Sequence, residues 1–147
     1  MKKIILTLLF IITLILPVHR LAAQAAKQIG IISTIAGSGA AGYSGDGGAA
    51  TAARLNGPLA VAADAAGNFY IADNKNQAVR VVDSNGIIKT FAGTDSMGFS
   101  GDDGPATSAW FNGISGLAVD NAGNVYIADG GNNRIRKVNA SGVITTG

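Results

Sequence analysis

Cysteine is missing from all 147 residues, so no disulfide can close a loop and the fold must hold by packing and hydrogen bonds alone. Glutamate is missing too: all nine acidic residues are Asp. The one histidine, His19, sits in an N-terminal stretch whose pattern marks it for removal. Beyond residue 23 the chain therefore lacks His, Cys and Glu together, and with them most general bases, nucleophiles and transition-metal ligands. Asp, Asn, Ser, Thr, Tyr, Lys and Arg are left to do any chemistry.

The N-terminal stretch reads as a secretory signal. Lys2 and Lys3 precede an apolar run from Ile4 to Leu16, interrupted only by Thr7 and Thr13. Pro17 then breaks it, and small residues follow at Ala22, Ala23, Ala25 and Ala26. A membrane-spanning helix needs about 20 apolar residues, so the run is too short for an anchor. Cleavage is expected after Ala23 or Ala25, giving a secreted, periplasmic or cell-surface protein with no membrane contact after processing. Lys2, Lys3 and Arg20 leave with the signal, and eight basic residues then face nine Asp, which moves the formal charge from +2 to −1. The basic pI belongs to the precursor and is no argument for nucleic-acid binding, which needs a basic stripe on the folded domain.

What is present is a repeat. Residues 32–87 align with residues 88–143 at a constant offset of 56, without a gap and with 27 identical pairs. The identical landmarks run from Ser44-Gly45-Asp46 and Ser100-Gly101-Asp102 to Tyr70-Ile71-Ala72-Asp73 and Tyr126-Ile127-Ala128-Asp129. They go on to Asn76 and Asn132, and to Arg80 and Arg136. A third copy begins at Ile144 and runs to Gly147. The chain divides into a signal at 1–23, a short linker at 24–31 and a repeat segment at 32–147.

Each repeat reads as four strands. In the second copy these are Gly116–Asp120, Val125–Ala128, Arg134–Val138 and a strand opening at Val143–Thr146, each bounded by Gly, Asn or Asp turns. In the first copy the first strand is Leu59–Ala63 and the fourth is Ile87–Ala92. Small residues in the first strand suit the narrow end of a wedge. A long connection, Gly37–Gly57 or Gly93–Gly113, precedes each set; it turns from Gly-rich to Ala-rich and reads as one helical turn, with Asp102 or Asp103 as N-cap and Pro105 near the first helical position. Ile31–Ala36 aligns with a fourth strand and is expected to be the outer strand of a preceding blade, or to close the ring onto the last blade of a longer chain.

A four-stranded meander at this period describes a β-propeller blade in an all-β fold. The residues resemble the NHL-repeat family, through Gly-Leu-Ala-Val-Asp (116–120), Gly-Asn-Val-Tyr-Ile-Ala-Asp (123–129), Asn-Arg-Ile-Arg-Lys-Val (133–138) and the Gly-Phe-Ser-Gly-Asp-Asp-Gly-Pro-Ala loop (98–106). The resemblance implies a six-bladed propeller used for binding proteins or other ligands. About two blades are present, so an open partial propeller is expected, the N-terminal portion of a longer chain; association of three copies into a ring is the alternative.

Candidate sites follow from the recurring polar residues. Asp73 with Arg80, and Asp129 with Arg136, are expected to form cross-strand framework pairs. Asp46 and Asp102, with Asp103 in the second copy only, are weak candidates for calcium, against a role in loop closure. Tyr43, Phe99, Trp110 and Phe111 lie in or beside the long loops and read first as packing anchors between blades; Tyr43, Phe99 and above all Trp110, which replaces Arg54, are the candidates for contact with a protein or carbohydrate partner. The leading functional expectation is a non-enzymatic binding scaffold without a cofactor. The alternatives are a share of a lactonase-like hydrolase or lyase whose catalytic residues lie in other blades, and a self-assembling structural protein.

Overall fold

Short β-branched and aromatic runs separated by Gly, Asn and Asp turns fold as two four-stranded antiparallel sheets in a computed structural model that describes residues 30–147. The first sheet is β1 (Pro58–Ala63), β2 (Phe69–Asp73), β3 (Ala78–Val82) and β4 (Ile88–Gly93). The second is β5 (Ile114–Val119), β6 (Val125–Asp129), β7 (Arg134–Val138) and β8 (Ile144–Thr146). Strands are ordered as in the chain, so each sheet is a meander, and the pair forms an open rather than a closed propeller. The expected signal at 1–23 lies outside the described residues.

The first strands begin earlier than the sequence suggested. β1 starts at Pro58 and β5 at Ile114, because the ladder resumes after a bulge between Pro58 and Ala60, and between Ile114 and Gly116. A bulge breaks the period-2 pattern from which strand ends are read. Ile31–Ala36 forms no strand. Its counterpart, residues 87–92, lies mostly in β4, which pairs with β3. Gly30–Ser33 fall outside the compact unit formed by residues 34–147, and Ile31 and Ile32 are almost fully exposed.

Within residues 34–147 the two sheets meet face to face. Tyr70, Ala72, Val79 and Val81 of the first sheet pack against Ile114, Val125, Ile127, Val138 and Ile144 of the second. Burying each of these aliphatic side chains contributes roughly 1.5–3 kcal/mol. The sheets approach chiefly through β1 against β5, which places the small residues of the first strands at the close end of the wedge.

The long connection is a strap. It crosses its own blade and pairs along the outer edge of that blade's last strand. In the first repeat Gly47 N–H donates to Ile88 O (2.8 Å), Ile88 N–H to Gly48 O (3.0 Å) and Ala50 N–H to Gly86 O (2.8 Å). Asp103, Ile144, Gly104, Ala106 and Gly142 repeat the pattern in the second. An edge strand left bare would be open to strand addition; here the strap covers it. Its Ala-rich half is a 3-10 turn, Ala50–Ala52 or Ala106–Ser108. The expected Asp cap is absent: Pro105 holds the N-cap position without a side-chain bond, and Asp102 is engaged elsewhere. Ala106, Ala109 and Phe111 are buried between the sheets as a wedge.

Gly101 shows how tightly the strap lies. Its φ is +91°, and a Cβ there would come within 2.7 Å of Ala109 Cα. Gly101→Ala should therefore cost about 2–5 kcal/mol, adding overpacking to the left-handed backbone penalty. Gly123→Ala, at φ +79° with nothing within 4 Å, should cost only about 1–2 kcal/mol. Thermal unfolding of the two variants checks the difference; equal losses would show that the strap is loosely packed.

Candidate functional site

The recurring charges converge on one buried guanidinium per blade. Arg80 and Arg136 lie mid-strand on β3 and β7, opposite Ile71 and Ile127, and are fully buried. The expected partners Asp73 and Asp129, fully buried at the ends of β2 and β6, do contact them, each at 3.5 Å on the diagonal of the ladder. The shorter ion pairs run to the strap instead. Arg136 Nη2 lies 2.7 Å from Asp102 Oδ1, and Arg80 Nη2 pairs in the same way with Asp46 Oδ1. Arg136 donates further to Ser100 O (3.0 Å) and Trp110 O (3.4 Å), and Arg80 to Ser44 O (3.2 Å).

The carboxylates complete the net. The second oxygen of Asp102 accepts from Thr146 Oγ1 (2.6 Å), and that of Asp46 accepts from Thr90 Oγ1 (2.7 Å) and Thr90 N–H (2.9 Å). Asp73 accepts from Asn56 N–H (2.6 Å) and Asn76 Nδ2 (2.8 Å); Asp129 accepts from Asn112 N–H and Asn132 Nδ2, both at 2.8 Å. Asn76 and Asn132 then reach the strap at Gly42 O (2.8 Å) and Gly98 O (2.7 Å). Asp46 and Asp102 thus face an arginine where a calcium ligand would face its ion, and Asp103 lies exposed at a φ of +64°.

A second kind of landmark closes the hairpin between the first two strands. Asp64 accepts from the N–H groups of Ala66 and Asn68, from Asn68 Nδ2 (2.7 Å) and from Tyr70 Oη (3.2 Å). Asp120 does the same with Ala122, Asn124 and Tyr126. These roles, and those of Thr90 and Thr146, were not assigned from sequence; the signal was their recurrence at the 56-residue offset.

Electrostatics separate the two ends of each net. Burial pushes the Asp73 carboxyl up, and the N–H of Asn56, Asn76 and Arg80 do not fully offset it. At Asp46 burial also acts upward, but the Thr90 hydrogen bonds and Arg80 outweigh it and hold the group below its ordinary value. Asp102 is held down in the same way, by Thr146 and Arg136 against burial. Hydrogen bonds from Asn68 and Asn124 lower Asp64 and Asp120, and the Ile87 N–H lowers Asp83.

Outside the net lies an exposed apolar face on the strap. Phe99 lies over two guanidinium groups, 4.1 Å from Arg134 and 4.7 Å from Arg136, while Tyr43 lies 4.8 Å from Arg80 and reaches Thr90 Oγ1 at 2.5 Å. Both rings remain about 40% exposed, Trp110 is 44% exposed and Met97 69%. Phe111 is fully buried, so of the four loop aromatics it alone is a pure packing anchor. The two repeats differ here: Met97, Phe99, Trp110 and Arg134 stand where the first has Ala41, Tyr43, Arg54 and Ala78.

Comparison with known proteins names the repeat. Residues 32–100 match the teneurin NHL domain, and residues 111–138 match the NHL repeat. The chain is built of NHL repeats. Teneurin-m of Drosophila melanogaster is 38% identical over 104 residues, which are 63% of this chain and 4% of that protein. A Bacteroides thetaiotaomicron protein of unknown function superposes with a TM-score of 0.57 at 28% identity, over 67% of this chain and 24% of its own. An auxiliary nutrient binding protein from Bacteroides ovatus superposes with a TM-score of 0.52 at 30% identity, over 72% of this chain and 26% of its own. The NHL chain spans about a quarter of these structures.

Two measurements test the net. Arg136→Ala leaves Asp102 and Asp129 without their counter-charge and should destabilise by about 3–5 kcal/mol in urea unfolding; Arg136→Lys, which cannot span both carboxylates and the strap carbonyls, should recover only part of that. A loss below about 1 kcal/mol would show that the strap holds without its arginine. The pH dependence follows from the lowered carboxyls. Asp46, Asp64, Asp83, Asp102 and Asp120 bind protons less readily folded than unfolded, so their contribution is complete above the ordinary Asp value and lost as pH falls below about 4. Asp73, raised, opposes this alone, its contribution falling as pH rises. The urea midpoint should therefore drop on acidification below about pH 4, and by less in Asp46→Asn; a midpoint that rises there contradicts the balance.

Proposed function

We infer that this NHL segment is an exported, non-enzymatic binding scaffold that engages a protein partner through the strap face of its second blade. One observation carries the reading: the two repeats share their framework, and they diverge toward apolar and aromatic residues at one exposed place. Met97, Phe99 and Trp110, beside Arg134, are residue types enriched where proteins meet. A sugar site is favoured less, because such sites set carboxylates beside an aromatic ring, and here Asp102 and Asp129 are engaged by Arg136. The same engagement of the recurring carboxylates supports a non-catalytic role. The likeness to an auxiliary nutrient binding protein from Bacteroides ovatus supports a binding role, and the leader-like residues 1–23 support export.

Trp110 is the single tryptophan of the chain, so its fluorescence reports on this face alone. Purified chain should retain a discrete extracellular protein from the producing cells, with a change in Trp110 emission. Trp110→Ala should weaken that complex at least tenfold, about 1.4 kcal/mol or more, whereas Arg54→Ala, at the matching place in the first repeat, should leave it unchanged. Equal binding by both variants would move the site elsewhere, and a Trp110 response to oligosaccharides alone would replace the protein partner with a sugar.

A further inference from the structure

Beyond Met1 the chain carries a single sulfur atom, that of Met97, because it has no cysteine. Met97 stands on the strap face and is 69% exposed. That exposure belongs to the position, whichever neighbour is docked. Its counterpart Ala41 is exposed with the second sheet packed beside its blade, and Met97 is exposed with the first sheet packed beside its own. The backbone around it is pinned. Met97 bridges to Phe111 across the strap, and the next N–H, that of Gly98, donates to Phe111 O at 2.9 Å. A Cβ on Gly98 would come within 3.2 Å of Trp110 Cε3, so the indole lies against the residue next to Met97. Phe99 follows, and both rings are partly open to water. A flexible thioether thus forms part of an apolar, aromatic face.

We propose that Met97 is an oxidation site, and that a peroxide acting on it switches off the strap face; this rests on the reading of that face as a protein-binding surface. A sulfur lone pair attacks one peroxide oxygen, the O–O bond breaks, and the other oxygen leaves as water. Sulfur is oxidised, the peroxide is reduced, and the thioether becomes a sulfoxide. The product carries a polar oxygen where the reduced side chain offers an apolar surface. Burying that oxygen unpaired against an apolar partner is unfavourable. The fold is spared this cost, since most of the side chain already faces water. A methionine sulfoxide reductase reverses the step: a dithiol is oxidised to a disulfide, and the oxygen leaves as water. The missing cysteine matters in both directions. No thiol in the chain consumes the oxidant, and no disulfide in the chain is opened by the reductant.

Hydrogen peroxide is the probe. The treated chain should gain the mass of a single oxygen at Met97 in peptide mapping, with a shift in Trp110 emission and unchanged thermal unfolding. It should then hold the extracellular protein retained by the reduced chain at least tenfold more weakly, about 1.4 kcal/mol. Sulfoxide reductases for both epimers, with a dithiol, should restore the affinity. Met97→Leu, apolar and without sulfur, should show one affinity before and after peroxide. Met97→Gln, polar and of similar length, should bind as weakly as the oxidised chain. Failure of Met97 to take up oxygen overturns the proposal. Equal retention by reduced and oxidised chains overturns the switch and leaves the binding reading in place, whereas a reduced chain that retains no protein removes that reading and the switch with it. A loss that peroxide also causes in Met97→Leu, or that comes with a lower unfolding temperature, places the effect elsewhere and overturns the switch as well.

Discussion

A guanidinium held out of water at the centre of each blade is the constraint on which the rest of the structure depends. An isolated buried charge costs several kcal/mol, and only a full set of partners makes it tolerable. Arg136 finds them in Asp102, Asp129 and the carbonyls of Ser100 and Trp110. Those partners come from the strap and from strand β6, so the strap cannot lift without leaving the arginine unmatched. Arg80 repeats the arrangement less completely: its Nε has no partner, where Arg136 Nε donates to Asp102 at 3.0 Å. The second blade is the better satisfied of the two.

The strap links this electrostatic centre to the packing. By closing over Arg136 it lays Ala106, Ala109 and Phe111 between the sheets, and it covers the edge of β8 through Ile144. Framework and core therefore form together, as expected of a unit that unfolds cooperatively. The cost is a demanding backbone, with Gly45 and Gly101 at positive φ against Ala53 and Ala109.

Much of this was legible in the residues, because the repeat displays twice whatever the framework requires. Strand order, the turn chemistry and the Asp73–Arg80 and Asp129–Arg136 contacts could all be read from local pattern and recurrence. The stronger contacts of the same arginines could not, since Asp46 and Asp102 lie 34 residues away in a loop whose path no local propensity fixes. An Asp beside a Gly-rich turn and a Pro looks like a helix cap for local reasons, and the long-range ion pair wins. The early starts of β1 and β5 were hidden by bulges, and Ile31–Ala36 carries strand propensity but forms no strand. Among the loop aromatics, Phe111 was not separable from Trp110 by residue type; only burial distinguishes them.

The fastenings of the strap also have a span. They join Gly42 to Asn76, Asp46 to Arg80, Asp46 to Thr90 and Asn56 to Asp73, separations of 34, 34, 44 and 17 residues. Each is shorter than the 56-residue offset, and each closes within a single blade. A gene segment of one period therefore encodes its buried charge together with every group that neutralises it. Such a segment can be copied, lost or exchanged in whole periods without orphaning an ion in its neighbour, and the residues at positions 97, 99, 110 and 134, which differ between the two copies, can change without touching that ion's carboxylate partners.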